Sequence, residues 1–297
     1  MLKIKSPNSL LETVQNKNFK IIFVDLFDTL LHRTKHPNYC LKLWAKYLIQ
    51  EFGLTIEANE LFNIRRESLS YLSKKMKCNT LSVDYEELQI EIFKRLVNND
   101  LISKKIKRKD FIKYFELADY EAVVGVQTVN TSLCSQLAEL AKKGIRIFLV
   151  SDINLSKEII RKILSYHGLE DLFEAIYLSC LEKKSKYVGD LYPYIISTKN
   201  IDTDQVIMVG DNKRTDILNA EKYGLFSLHI PNSSIKLKNK LQLFGNEAND
   251  FKKACSSVVK RCRRSDFVFS EYLIHYYFFV ERVYLHAKKN NIHNLFF

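Results

Sequence analysis

The stretch "KIIFVDLFDTLL", residues 20–31, decides how this chain is read. A run of β-branched and aromatic residues, the composition of a buried strand, ends abruptly on Asp25, and Asp28 and Thr29 come just behind it. Strand formation does not call for a carboxylate at that point. In an open parallel sheet, however, ligands bind beyond the carboxyl ends of the strands, so Asp25 becomes a candidate for chemistry.

Four more short apolar runs follow: Ile145–Ser151, Ala175–Ser179, Val206–Gly210 and Phe226–Ile230. Helix-like segments separate them, the alternation of a parallel sheet covered on both faces. Ser156 is placed to cap the helix in "KEIIRKILSYHG" and Gly168 to stop it. The fold class expected is α/β, a doubly wound parallel sheet formed by residues 1–32 and 120–231. Between the first two strands lie more than a hundred residues, far longer than a plain crossover. Their segments "PNYCLKLWAKYLIQEFG", "ANELFNIRRESLSYLSKKM", "DYEELQIEIFKRLV" and "RKDFIKYFELADYEAVV" carry helical apolar spacing, so residues 33–119 are read as an inserted all-helical subdomain. Residues 232–297 form a third unit, expected to be a basic helical extension. Its end, "NNIHNLFF", looks like a chain cut where another strand would begin, or a short docking segment.

The chain is 46% apolar and 12% aromatic, enough for a sizeable core and against disorder. Of the net charge of +12, the extension from Asn232 contributes +7, from 12 Lys/Arg less 5 Asp/Glu. Its "KKACSSVVKRCRR" has basic residues at helical spacing but no interleaved aromatic residues. It is therefore read as the solvated face of a docking helix, open to a further module or protein partner, rather than as a nucleic-acid site. Glu271, His275, Glu281 and Arg282 interrupt the most apolar segment, residues 267–285, and argue against a membrane span. Six scattered cysteines without a C-x-x-C pair, and an N-terminus without a signal-peptide apolar block, point to a reducing cytoplasm.

The residues just past each strand end are Asp25, Asp28 and Thr29, then Ser151 and Asp152, then Asp211 and Asp216; a lysine-rich "EKKSKYVGDLY" precedes the fourth strand. Carboxylates, a hydroxyl and a lysine would thus meet at one sheet edge, a set suited to phosphoryl transfer. A carboxylate can attack phosphorus and split a difficult displacement into two steps. Hard Mg²⁺, which prefers oxygen ligands, would neutralise the anionic group under attack.

These motifs resemble those of the haloacid dehalogenase-like hydrolase superfamily, over about residues 20–231. The resemblance makes Asp25 of "IIFVDLFDTLL" the nucleophile, Ser151 of "IFLVSD" the phosphate-binding hydroxyl and Lys186 of "KYVGDLY" the charge-balancing lysine. Asp211 and Asp216 of "IMVGDNKRTD" become the acidic pair at Mg²⁺, which Asp25 and the backbone carbonyl of Phe27 would also bind. Thr29 joins the phosphate-binding group, and the helical insertion resembles the cap such enzymes close over small substrates. A narrower likeness is to a bacterial subgroup found in large polysaccharide-assembly proteins, which implies a sugar phosphate.

Most phosphatases of that superfamily carry a second Asp two residues after the nucleophile, as general acid and base. Here that place is Phe27. Asp28 is one step further on, where an extended chain turns the side chain elsewhere. It is read first as a structural acid and second as a substitute acid/base. Three readings follow: a phosphohydrolase with a substitute acid, a dehalogenase-type hydrolase, and a catalytically weak module that binds a ligand or partner. Dehalogenases of the superfamily work without metal. Asp211 and Asp216, which would repel Asp25 without a cation, favour the phosphohydrolase. Arg33 and Asp152 are candidate substrate contacts; their alternatives are an exposed hinge residue and the cap of the next turn. Arg65 and Arg66 lie in the helical insertion, where a surface ion pair is the first expectation for each and a side chain pointing to the active site the alternative for one of them; for His32 and His36, structural roles are expected.

Overall fold

The computed structural model describes residues 2–3 and 9–232, together with isolated positions between 256 and 292. The extension expected to be helical and basic, with Cys255 and Cys262, lies almost entirely outside the described residues. The core is a six-stranded sheet built from β1 (Leu2–Lys3), β2 (Ile21–Val24), β5 (Arg146–Ser151), β6 (Ala175–Leu178), β7 (Val206–Gly210) and β8 (Phe226–His229). Its order is β1-β8-β7-β2-β5-β6, and every neighbouring pair is parallel. β2 is buried along its whole length, as its near-continuous apolar sequence requires in a sheet covered on both faces.

The chain order places the first long strand in the middle. From β2 the sheet grows one way through β5 and β6 and the other way through β7 and β8, so β2 ends at the point where the strand order reverses. Such a switch point leaves a crevice at the carboxyl edge, and Asp25 stands in it. Of the helices, α1 (Ser9–Lys17), α6 (Thr131–Lys142), α7 (Lys157–Tyr166), α8 (Ser179–Glu182), α9 (Leu191–Lys199) and α10 (Asn219–Glu221) belong to the core. Ser156 caps α7 as expected, its side chain accepting from the Ile159 N–H, and Gly168 follows with φ 66°. The sequence reading had no place for α1 or β1.

The inserted stretch contains α2 (Pro37–Phe52), α3 (Ala58–Met76), α4 (Tyr85–Asn98) and α5 (Arg108–Val124), one for each of the four amphipathic segments. Residue 119 lies inside α5. The chain leaves and re-enters the core through an antiparallel ribbon of β3 (Leu31–Arg33) and β4 (Gln127–Val129), in the register Leu31↔Val129 and Arg33↔Gln127. This ribbon is too short to show a periodic signal and was not anticipated. The helices pack on an aromatic centre in which Trp44 meets Phe115 edge-on at 4.8 Å and Phe111 lies 5.8 Å from Phe115. Asn154, just past β5, donates from Nδ2 to the carbonyls of Thr80 and Val83, both at 3.0 Å. Ser179 Oγ donates to the carbonyl of Leu81 at 2.6 Å. Polar bonds from the loop after β5 and from the first residue of α8 thus hold the α3–α4 turn against the core. Among the described residues no helix is long and apolar enough to cross a membrane.

Candidate active site

β2 ends at Val24, and the Asp25 N–H still donates to the Val209 carbonyl of β7 at 3.0 Å. The sheet therefore fixes the backbone of Asp25 while its side chain enters the crevice. Asp25 Oδ1 accepts from Ser151 Oγ at 3.2 Å and from Lys186 Nζ at 2.6 Å. The same ammonium donates to Asp216 Oδ1 at 2.8 Å. Thr215 Oγ1 donates to that same oxygen at 3.0 Å, and the Asn212 N–H donates to Asp216 Oδ2 at 3.0 Å. Thr29 Oγ1 donates to Asp211 Oδ1 at 3.4 Å. The ends of β2, β5 and β7 and the loop between α8 and α9 thus bring together Asp25, Thr29, Ser151, Lys186, Asp211 and Asp216, all buried.

Oxygen atoms of Asp25, Asp211 and Asp216 lie within 4.8 Å of one another. Three carboxylates face the single ammonium of Lys186 there, so the cluster carries an excess of negative charge in a buried place. A hard divalent cation with oxygen ligands fits that donor set, and Asp25, Asp211 and Asp216 are the residues that would hold it. Burial dominates the ionisation of Asp25. Against the opposing pull of Lys186, and with the Asp216 and Asp211 charges adding to burial, its pKa rises from 3.8 to about 7. Burial works against the Lys186 ammonium, but Asp216 and Asp25 overcome it and hold its pKa well above the ordinary lysine value. β7 approaches this cluster closely at Gly210, where an added Cβ would sit 2.3 Å from Asp216 Oδ2.

Asp152 does not cap the turn that follows it. Its carboxylate accepts from the backbone N–H groups of Lys186 and Tyr187 at 2.8 and 2.9 Å, which positions the lysine loop. Arg33 is partly buried rather than an exposed hinge residue, and its guanidinium is paired with Asp28. Asp28 has φ 65°, is 4% exposed, and accepts from the Arg33 N–H at 3.3 Å, from Arg33 Nε at 3.2 Å and from Arg33 Nη2. Phe27 lines the cavity, with Arg33 Cζ 5.5 Å from its ring centroid. His36 caps α2, its Nδ1 accepting from the Asn38 N–H, and His32 Nδ1 lies 3.0 Å from Asn232 Nδ2.

The crevice widens into a cavity of about 430 Å³ between the sheet edge and the inserted helices. Its walls are largely apolar in area, with Leu41, Leu69, Leu81, Val123 and Leu155 lining it together with Asp25 and Lys186. Arg65 and Asp119 also line it. Arg65 is not in a surface ion pair: it is 3% exposed, bonds Asp119 in bidentate fashion at 2.7 and 3.0 Å, and stacks on Trp44 at 4.4 Å. Tyr85 completes the group, its hydroxyl donating to Asp119 Oδ2 at 2.7 Å. The sequence reading missed Asp119 and Tyr85. The signal for Arg65 was its spacing with Leu61, Ser68 and Leu72, which puts an arginine on the buried face of α3.

Residues 131–230 match the family model described as haloacid dehalogenase-like hydrolase. That match covers about a third of the chain, the part that carries β5 to β8 of the doubly wound sheet, and over it the chain is similar to the haloacid dehalogenase-like hydrolases. A sesquiterpene phosphatase of Aspergillus oryzae, astK, is 26% identical over 130 residues, 43% of this chain and 64% of that protein. The match thus spans less than two thirds of the length of that curated relative. Among solved structures, L-2-haloacid dehalogenase from Xanthobacter autotrophicus aligns at 15% identity over 80% of this chain and 88% of its own, with a TM-score of 0.47. An enzyme of the same family from Bacteroides thetaiotaomicron aligns at 15% identity over 72% and 95%, with a TM-score of 0.47. A phosphatase of the family from Thermococcus onnurineus aligns at 16% identity over 72% and 87%, with a TM-score of 0.45. These comparisons lend no support to the narrower resemblance to polysaccharide-assembly proteins.

Proposed function

We propose that this chain is a Mg²⁺-dependent phosphohydrolase that acts on a small phosphorylated metabolite through an aspartyl-phosphate on Asp25. The observation that carries this reading is the single buried cluster of Asp25, Ser151, Lys186, Asp211 and Asp216, drawn from the ends of β2, β5 and β7 and from the loop between α8 and α9. Asp25 Oδ1 is the oxygen turned toward Ser151 and Lys186, so a phosphoryl group presented to it meets one hydroxyl and one ammonium. Those two donors orient and balance its oxygens as charge develops. When bound, Mg²⁺ would supply charge neutralisation for the phosphoryl group and keep Asp25 ionised, with Asp211, Asp216 and the Phe27 carbonyl beside Asp25 as ligands. Thr29 acts by holding Asp211 in this reading, and Asp152 by placing Lys186.

The helical insertion serves as a cap that excludes water from the cavity. The apolar cavity walls and the terpenoid substrate named for the Aspergillus relative favour a phosphate carried on an apolar body over a sugar phosphate. The competing reading is a ligand-binding module with little turnover, and Phe27 is the residue that favours it. Phosphate release from a panel of apolar, sugar and nucleotide phosphates, with and without Mg²⁺, beside Asp25→Asn, separates the two. Release that needs both Mg²⁺ and Asp25 is expected. Phosphate binding without Asp25-dependent release from any member would establish the binding module.

A further inference from the structure

We infer that the site acts on phosphoryl groups whose leaving oxygen departs without a proton, those of acyl phosphates, aryl phosphates and phosphoric anhydrides, rather than on phosphate esters of simple alcohols. This rests on the phosphohydrolase reading and narrows its substrate class. The ground for it is how the acids around the cavity are engaged. Six aspartates line it: Asp25, Asp28, Asp119, Asp152, Asp211 and Asp216. Three of them form the cluster around Lys186 described above. The other three are the candidates for giving a proton to a leaving group, and each is engaged as an acceptor.

Asp28 receives three N–H groups of Arg33, one from the backbone and two from the guanidinium. Burial raises the pKa of Asp152, but its two oxygens each receive a backbone N–H, from Lys186 and from Tyr187, and so are turned to the lysine loop. Asp119 receives both guanidinium nitrogens of Arg65 and the Tyr85 hydroxyl. An N–H can only donate, so a carboxyl group facing these partners presents lone pairs to them and offers them no hydrogen. Phe27, two residues after Asp25, lines the same cavity with the Arg33 guanidinium over its ring and has no proton to give. Each of these three carboxyl groups thus has both of its oxygens turned to donors of the wall, and on this inference the acid-catalytic contribution of about 10²–10⁴-fold is missing from leaving-group departure.

The reaction balances without that proton. Asp25 Oδ attacks phosphorus, the bond from phosphorus to the leaving oxygen breaks, and its electron pair leaves with that oxygen as a carboxylate, phenolate or phosphate. Water then attacks the phosphorus of the aspartyl-phosphate, the bond to Asp25 breaks, and Asp25 recovers its carboxylate. Both water hydrogens go out with the inorganic phosphate. An alkoxide is too basic to leave in this way at a useful rate.

The test uses the full chain with Mg²⁺ and a series of ring-substituted phenyl phosphates, from nitrophenyl to unsubstituted phenyl, with acetyl phosphate and glycerol phosphate at the extremes. The expected kcat/KM falls by roughly fivefold to tenfold for each unit of leaving-group pKa, because no group on the enzyme shares the developing charge. Phe27→Asp is expected to flatten that dependence and to raise the rate on glycerol phosphate relative to nitrophenyl phosphate by about tenfold or more. Wild-type rates that change less than about twofold per unit would show that a proton is being supplied, and would overturn the inference while leaving the phosphohydrolase intact. Release from no member of the series would overturn the phosphohydrolase reading itself, and this inference with it. The wild-type series decides the matter even if the Phe27 variant does not fold.

Discussion

The ammonium of Lys186 stands 2.6 Å from the carboxylate of Asp25, although 161 residues separate them in the chain. Lys186 also reaches Asp216 at 2.8 Å and is 2% exposed, so it bridges two acids that would otherwise repel each other in a buried place. Burial and charge balance at this point belong to the same atom.

Lys186→Met keeps the length of the side chain and removes its charge. Turnover is expected to fall by about 10²–10³-fold, the usual loss when a preorganised donor to a developing charge is removed. The variant is also expected to unfold at lower temperature in the absence of divalent cations, because Asp25 and Asp216 are left facing each other. Mg²⁺ should restore its thermal stability and not its turnover. Unfolding scans with and without the cation, beside phosphate-release rates, check both parts.

Cation affinity should depend on pH through Asp25. Its pKa stands at about 7, raised from 3.8, so below neutrality a proton occupies the carboxyl that the cation needs. Proton and Mg²⁺ compete, and the sign follows: affinity rises with pH by up to tenfold per unit from about pH 5 and levels off above about pH 7. Calorimetric titration across this range should show one proton released per cation at the acid end. Affinity independent of pH would remove Asp25 from the ligand set.

Gly210→Ala tests the close approach of β7 to the acid cluster. The new methyl would lie 2.3 Å from Asp216 Oδ2, a distance that real side chains do not reach, so Asp216 must move. Its bonds to Lys186 and to the Asn212 N–H would lengthen or break. A tenfold or greater loss of Mg²⁺ affinity is expected, with stability reduced by about 1–3 kcal/mol for overpacking. Cation titration and denaturant unfolding of the variant measure these separately.

Arg65 and Asp119 should be critical to the helical insertion. Arg65→Ala would leave Asp119 buried and facing only the Tyr85 hydroxyl, at a cost of about 3–5 kcal/mol. The double variant Arg65→Met, Asp119→Leu removes the charge along with its partner and should be clearly more stable than Arg65→Ala alone. A double-mutant cycle by chemical unfolding reads this directly. Additive losses would show that the pair is solvated.

The sheet and the site acids were legible in the sequence because both follow local rules. A strand buried on both faces must be apolar almost throughout, so β2, β5, β7 and β8 stand out as runs, each within a residue or so of its observed limits. The acids at their ends follow from strand direction: parallel strands present all their carboxyl ends at one edge, and Asp25, Ser151 and Asp211 had to meet once the runs were parallel. Helical periodicity marked α2 to α5 for the same reason. Short elements escaped. The β3–β4 ribbon pairs only three residues with three, and no period can be read from so few.

Tertiary structure alone decided which partners the polar residues take. Asp28 and Arg33 were each read as open to a role at the substrate. A backbone turn with φ 65° at Asp28 brings them together, and that pairing leaves Asp28 an acceptor. Arg65 was expected at the surface, and four helices closing on one another buried it between Trp44 and Asp119. Asp152 was given to its own turn and instead holds the loop of Lys186, 34 residues away. Hydrophobic pattern is a property of neighbours along the chain, and it fixes elements and their buried faces. The partner of a buried charge is whatever donor the packing brings within 3 Å, and that is settled only when the elements meet.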